Sequence, residues 1–474
     1  MTTTSSVGAA ATYPSVNQPV NAKPKKDGYD YAIKGLEIVR DVAFVIDPLL
    51  WPVLLVSCGG GGGGGGGGNG GGGVPVPPVN HPPVINSAPI TTANAGVLYL
   101  YDVDAADADN NTLSYSLTSA PSGMTIDPPS GLIEWRPTAS QMGTFDVEVE
   151  VTDGTDSVYQ GFSVVTSLAF QRGSNFTSYW NNDYLQPRSN EALGWLTATN
   201  TQWVSILVTQ YQDTTSSTTI YSDVDKTPTD AAIVNAINVA HFLGFNVMLN
   251  THVDVKDESW RGFISFSNEA DWQAWFASYD QFIGHYADLS RENGVEALVV
   301  GVEYSATEQR EANWRNTITQ VRSIFPNPIT YSANHDSYQN INWWDALDFI
   351  GVSAYFQLTT KYDPTSAELL AAWAPYVNSL GNLAAAKNKY IVFTEIGYQS
   401  YDGTNTIPWD APTKVQDLAE QGDCYTAAFQ SVYTQPWFKG VYFWMWYFDP
   451  TQDVNGYDIY GKPAENVVKT WYAQ

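Results

Sequence analysis

Two glutamates stand where a chain seldom puts them. The stretch IVFTEIGYQS, Ile391 to Ser400, opens with the apolar run Ile391-Val392-Phe393 of a buried strand and then places Glu395 before any turn residue. Burying an unpaired carboxylate is costly, so a glutamate there needs partners or a task. ALVVGVEYS, Ala297 to Ser305, does the same with Glu303. Two carboxylates flanking a glycosidic bond can hydrolyse it, one as proton donor to the leaving oxygen and the other as nucleophile on the anomeric carbon. Retention of configuration asks for about 5–5.5 Å between them.

Composition agrees with a neutral substrate. The 474 residues carry 22 basic and 49 acidic side chains, a formal charge of −27. That balance excludes a nucleic-acid partner, which needs a basic surface to neutralise phosphates. The 17 Trp, 29 Tyr and 19 Phe exceed ordinary use; most are expected in the core, and the exposed ones offer flat faces to sugars. Five histidines without an H-x-x-x-H spacing, and only two cysteines, Cys58 and Cys424, point to no metal site and no disulfide framework.

The glutamates must be held by a scaffold, and from residue 167 the texture is strand and helix in alternation. Strands are predicted at LAFQRGSNF, WVSILVTQY, FNVMLNTHV, ALVVGVEYS, ITYSAN, FIGVSAYFQL, YIVFTEIGY and GVYFWMWYF. Between them lie helical patterns such as Thr229–Gly244, with Ile233, Ala236, Ile237, Ala240 and Leu243 on one face, and Glu311–Phe325. Eight such units predict a (β/α)8 TIM barrel over 167–474. The alternative, an open doubly wound sheet, lacks its Gly-rich phosphate loop.

In such a barrel the chemistry sits at the C-terminal strand ends. The third strand offers His252, with Trp260 and Arg261 in the loop after it; the fourth offers Glu303, the fifth Asn334, the sixth Tyr355, the seventh Glu395, and the eighth Trp444 and Trp446. His252 is expected to hydrogen-bond a sugar hydroxyl or the carboxylates, or else to be a buried structural histidine. Trp260 and Arg261 are candidates for the pocket wall, and Tyr355 for a hydrogen bond to Glu395. Trp444 and Trp446, two apart in one strand, are expected to point the same way and to offer a sugar platform. Glu395 could alternatively be a structural carboxylate paired with Arg172 or Arg261.

The first 166 residues read as delivery and spacing. Residues 1–58 end in Leu55-Val56-Ser57-Cys58, which resembles a bacterial lipobox, implying acylation of Cys58 and a lipoprotein at the cell envelope or surface, or otherwise a secreted protein. The apolar run before it, broken by Asp47 and Pro48, is too short for a stable membrane span. Residues 59–83 are a Gly/Pro-rich tether. Residues 84–166 alternate with period two, as in Phe145-Asp146-Val147-Glu148-Val149-Glu150-Val151, and predict a small all-β sandwich. The string APSGMTIDPPSGLIEWRPTASQMGTFDVEVEVTDG resembles the Ig-like (cadherin-like) modules of bacterial surface proteins, implying a spacer or a weak glycan binder. Its Asp102, Asp104, Asp107, Asp109 and Asp153 have the oxygen chemistry of a calcium site; a solvated acidic turn is the preferred reading.

Beyond the glutamate pair, HVDVKDESWRGFI, WWDALDFIGVSAYFQLT, VFTEIGYQS, QPWFKGVYFWMW and GKPAENVVKTWY follow one another in the order of glycoside hydrolase family 113. From about Leu168 to Trp471 the chain resembles that family of clan A β-mannanases. The resemblance implies a retaining mechanism with Glu303 as acid/base and Glu395 as nucleophile, no cofactor, and an endo-β-1,4-mannanase acting on extracellular β-mannans. The alternatives are a retaining hydrolase of another β-glycan, glucan or galactan, and a non-catalytic carbohydrate-binding surface protein. Val302 stands where clan A enzymes often carry an Asn that touches the sugar 2-hydroxyl, and Glu308 is a second candidate for the acid. The sequence carries no signal for oligomeric state.

Overall fold

The computed structural model describes residues 79–453 and 455–474. Cys58, the apolar run before it and the glycine tract lie outside them. Nine short strands form the first module: β1 (Val84–Ile85), β2 (Thr92–Asn94), β3 (Tyr99–Asp102), β4 (Ala105–Ala106), β5 (Ser114–Ser119), β6 (Thr125–Ile126), β7 (Leu132–Trp135), β8 (Gly143–Thr152) and β9 (Ser157–Ser167). A four-stranded sheet ordered β2-β9-β8-β5 faces a three-stranded sheet ordered β3-β7-β6. Alternation decides which residues meet between them: Val147, Val149 and Val151 of β8 turn inward onto Tyr99, Tyr101 and Trp135, while Asp146 and Glu148 face water. The aspartates hold local turns. Asp107 accepts the amides of Asp109 and Asn111, and Asp153 accepts those of Thr155 and Asp156. Among the described residues no group of three or more His, Cys, Asp or Glu is placed to hold a metal ion.

Eight parallel strands then close into a barrel, as the pattern predicts: β10 (Gln171–Thr177), β11 (Trp203–Gln212), β12 (Asn246–Val255), β13 (Ala297–Val302), β14 (Ile329–Asn334), β15 (Ile350–Ser353), β16 (Ile391–Ile396) and β17 (Phe438–Tyr447). Seven of them are followed by helix: α1 (Pro187–Leu196), α2 (Asp230–Phe242), α3 (Glu269–Glu292), α4 (Glu311–Ile324), the pair α5 (Ser366–Ala372) and α6 (Ala374–Lys387), α7 (Leu418–Val432) and α8 (Pro463–Tyr472). Local signals set their ends. Thr229 caps α2 by accepting the Ala232 amide, and Gly244, at φ +85°, ends the turn after it.

After β14 there are only two short 3-10 turns. The aromatic pair Trp343-Trp344, fully buried, fills that gap. Trp343 stacks on Trp314 at 5.2 Å, and its indole donates to the Glu308 carbonyl at 3.0 Å. Many of the aromatics counted in the sequence are thus spent as wall between strands and helices.

The barrel floor is apolar: Leu168, Ala169, Trp203, Met248, Val299, Phe349, Val392 and Tyr442 cluster there, with Val97 of the sandwich packed against them. Arg136 of the sandwich donates to Glu296 at 3.0 Å, and the Ala139 amide to the Pro326 carbonyl at 3.2 Å. Glu296 and Pro326 precede β13 and β14. The sandwich therefore seats on the N-terminal end of the barrel, opposite the strand ends that carry the glutamates.

Candidate active site

Glu303 follows directly on β13, and its backbone is left-handed at φ +58°. A residue with a Cβ adopts that conformation only when its surroundings impose it. Here β13 carries an irregularity between Val299 and Val302 in its pairing with β14. The Glu303 amide then donates to the Ser332 carbonyl at 2.8 Å, and the Tyr304 amide to the Tyr331 hydroxyl at 2.7 Å. Tyr304 returns the anchor by accepting the Val253 amide at 2.8 Å. Trp260 approaches from the next loop, its indole nitrogen 3.4 Å from Glu303 Oε2. The indole ring lies flat on Gly262, where any Cβ would stand 2.4 Å from it. That close approach is what a glycine permits.

Glu395 is the penultimate residue of β16 and is 5% exposed. The Tyr355 hydroxyl donates to its Oε2 at 3.1 Å, while Oε1 has no hydrogen-bond partner; His252 Nε2 stands 3.5 Å away. The proton on His252 can be placed by elimination. Arg261 contacts His252 Nδ1, and a guanidinium only donates, so Nδ1 accepts and Nε2 carries the hydrogen. Asp254 anchors Arg261 at 2.8 Å. Burial, reinforced by the Arg261 charge, pushes the His252 pKa well below its ordinary value, so the ring is neutral and aims an N–H at Glu395.

Burial raises both carboxylates, Glu395 to about 7. Their neighbours differ. Arg261, Tyr355 and Asn250 pull Glu395 back toward its charged form. Glu303 is pushed further up by the charge of Glu395 itself, and Arg261, Trp260 and Ser353 draw it back.

The structure brings Glu303, Glu395, His252, Trp260, Tyr355 and Trp444 together, with Trp444 parallel to His252 at 6.3 Å and 7°. Arg261 lies buried behind His252 rather than on the pocket wall. Arg172 is engaged elsewhere, with Tyr433, Gln202 and the Gln474 carbonyl. Asn334 is at the rim, its amide turned to Asp336 at 2.8 Å and its Oδ1 toward His335 Nδ1 at 3.1 Å.

Trp446 corrects the expectation that it shares a face with Trp444. It is fully buried among the outer helices, its indole donating to the Ala192 carbonyl of α1 at 2.9 Å. The pairing of β10 with β17 slips between Ser174 and Phe176, where two steps on β10 span three on β17. That extra residue breaks the period of two. The irregularity in β13 likewise turns Val302 into the apolar cluster inside the barrel, with Val299. Glu308, the second candidate acid, is buried beneath the loop after β13. It accepts from Tyr331 at 3.1 Å and Ser337 at 3.0 Å, and burial raises it to about 7.

Asn250 escaped the sequence reading. It is fully buried on β12, two residues before His252, with its amide directed to Asn175 at 3.4 Å. A polar residue inside MLNTHV at the spacing that shares His252's face was the available signal.

Comparison with known proteins agrees with the barrel and the sandwich. The family model described as Glycoside Hydrolase Family 113 matches residues 176–462, and that described as "Putative Ig domain" matches residues 82–167. A GH113 β-1,4-mannanase solved as a complex is 26% identical over 65% of this chain and 100% of its own, with a TM-score of 0.59. The GH113 β-mannanase AaManA from Alicyclobacillus acidocaldarius, solved with ManMIm, is 31% identical over 65% of this chain and 98% of its own, with a TM-score of 0.60. A glycoside hydrolase family 5 mannosidase from Rhizomucor miehei, 12% identical over 66% of this chain and 94% of its own at a TM-score of 0.50, shares the fold alone. No curated protein matches the chain.

Proposed function

The chain belongs to glycoside hydrolase family 113, and from that premise we propose that it is a retaining endo-β-1,4-mannanase with Glu303 as acid/base and Glu395 as nucleophile. The observation that carries the reading is the pair itself: the two carboxylates stand near enough for the charge of Glu395 to raise Glu303, while Tyr355, Arg261 and Asn250 draw Glu395 toward its charged form.

Glu303 gives its proton to the glycosidic oxygen as Glu395 Oε1, the oxygen without a hydrogen-bond partner, bonds to the anomeric carbon. The carbon–oxygen bond to the leaving sugar breaks, and a glycosyl ester remains on Glu395. Esterification removes the charge that kept Glu303 protonated. Glu303 can then take a proton from water, whose oxygen attacks the anomeric carbon and frees the Glu395 carboxylate. Tyr355 and the His252 N–H restrain the nucleophile, and Trp444 is the platform under the sugar that becomes esterified. No cofactor enters this cycle.

Similarity to the mannanases at 26% and 31% identity supports β-mannan as the substrate. Reducing-end release from β-mannan, glucomannan, xylan, β-glucan and galactan, with the anomer of the first product read by NMR, tests it. Release from mannans with a β-anomeric product is expected. Release confined to another glycan would keep the chemistry and discard the mannan, and an α-anomeric product would discard double displacement. The lipobox-like tetrad supports placement at the cell envelope; Cys58→Ser is expected to move the protein from membranes to the soluble fraction.

A further inference from the structure

The loop between β16 and α7 holds a large aromatic side chain that the mechanism does not use. Trp409 is 36% exposed, yet it is firmly seated. One face lies on the His335 ring, with centroids 4.9 Å apart and planes at 16°. The carbonyl before it, from Pro408, accepts the Tyr457 hydroxyl at 2.7 Å, and the Ala411 amide two residues on donates to Gln399 at 2.8 Å. From the first turn of α7 the buried carboxylate of Glu420 accepts the loop amides of Gly403 at 2.8 Å and Asn405 at 3.0 Å. A surface indole on so well-tied a loop loses little entropy when something stacks on its open face.

Its place relative to the two carboxylates gives it a side. His335 follows β14, the strand beside β13 that leads to Glu303. Tyr457, which fixes Pro408, meets the edge of Tyr355 at 6.4 Å, and Tyr355 holds Glu395. Trp444 lies parallel to His252, which stands beside Glu395. The acid must reach the leaving oxygen, so rings on the Glu303 side meet the leaving sugar: Trp260, whose indole nitrogen is 3.4 Å from Glu303, and Trp409, carried to that side by His335. Burial lowers the His335 pKa, and the charges of Asp336 and Glu303 oppose that shift.

We propose that the open face of Trp409, backed by His335, is the platform for the neutral sugar on the leaving-group side of the cleaved bond. The inference rests on the retaining-hydrolase reading above. A pyranose presents an apolar C–H face to such a ring, and no charge is needed for it to stack.

The test compares wild type with Trp409→Ala and Trp409→Leu, the second keeping an apolar contact on His335 without a flat face. Two substrates are used: mannotetraose, which fills the leaving-group side, and β-mannobiosyl fluoride, whose leaving group is one atom. Both variants are expected to lose about 10- to 100-fold in kcat/KM on mannotetraose, at least about tenfold more than on the fluoride, and to transfer less product to added mannobiose. Equal losses on both substrates, or no loss on mannotetraose, would overturn the platform while leaving the mannanase reading intact. A wild-type chain that cleaves no β-mannan would overturn the substrate reading and this inference with it.

Discussion

The barrel buries a glutamate at each end, and the two are solved differently. Glu296, at the floor, is 4% exposed. Its Oε1 accepts from Arg136 at 3.0 Å, and its Oε2 accepts the Val247 amide at 2.7 Å with His241 Nε2 at 3.1 Å. Glu395, at the mouth, is 5% exposed and has one oxygen without a hydrogen-bond partner. A saturated carboxylate binds elements together, and here it ties the sandwich to the barrel. A carboxylate left partly unsatisfied is held for something the protein does not itself contain. Burial alone does not distinguish structural from chemical glutamates; the count of partners does.

Removing each glutamate should separate the two roles, and this is the largest effect expected. Glu395→Ala lowers kcat on mannan on the order of 10,000-fold while the melting temperature holds or rises, because an incompletely compensated buried carboxylate is gone. Glu296→Ala costs about 3 kcal/mol of stability, since it strands Arg136, His241 and the Val247 amide, yet leaves the activity of folded protein near wild type. Denaturant unfolding and initial rates on the same preparations check both. A reversal in either direction, with Glu395→Ala unstable or Glu296→Ala inactive though folded, would dissolve the distinction.

Within the mouth itself the pair can be divided by leaving group. Glu303→Ala is expected to cost about 100- to 10,000-fold on mannan, where the leaving sugar needs a proton. The loss should be far smaller on β-mannobiosyl fluoride, whose leaving group departs without one. Similar losses on both substrates would take the acid role away from Glu303.

Much of this division could be read from the chain, and some could not. The eight strands and the glutamates ending two of them follow from apolar runs and their breaks, which are local. The faces of Trp446 and Val302 depended on irregularities in β17 and β13, which arise from how neighbouring strands register and leave no mark in a period of two. Asn250 was legible as a polar residue in an apolar strand. The partners of Glu296 come from the sandwich, from α2 and from β12, far apart in sequence, and nothing near position 296 announces them.

Incomplete compensation at the mouth should also appear as pH dependence. Glu308, with two neutral donors, has its pKa raised from an ordinary 4.5 to about 7 in the fold. A carboxyl raised on folding stabilises below its unfolded pKa, and that stability is lost as pH rises through the folded value. Wild type should therefore lose about 3 kcal/mol relative to Glu308→Gln between about pH 4.5 and 8. The glutamine can still accept from Tyr331 and Ser337. Parallel stability curves for the two proteins would show that Glu308 is ionised throughout.

The smallest effect concerns the hydrogen bond that Glu395 receives from Tyr355. Tyr355→Phe removes the donor to Oε2 and keeps the ring, which meets Tyr457 edge-on. A hydrogen bond to a charged group contributes about 1.5–3 kcal/mol, so kcat should fall roughly 10- to 100-fold with KM nearly unchanged. The sign of the pH effect is fixed as well. Tyr355 lowers the Glu395 pKa against burial, so its loss raises that pKa, and the acidic limb of kcat/KM, where the nucleophile must ionise, moves to higher pH. A lower rate with an unmoved acidic limb would mean that Tyr355 only packs, and that Glu395 keeps its charge through Arg261 and Asn250.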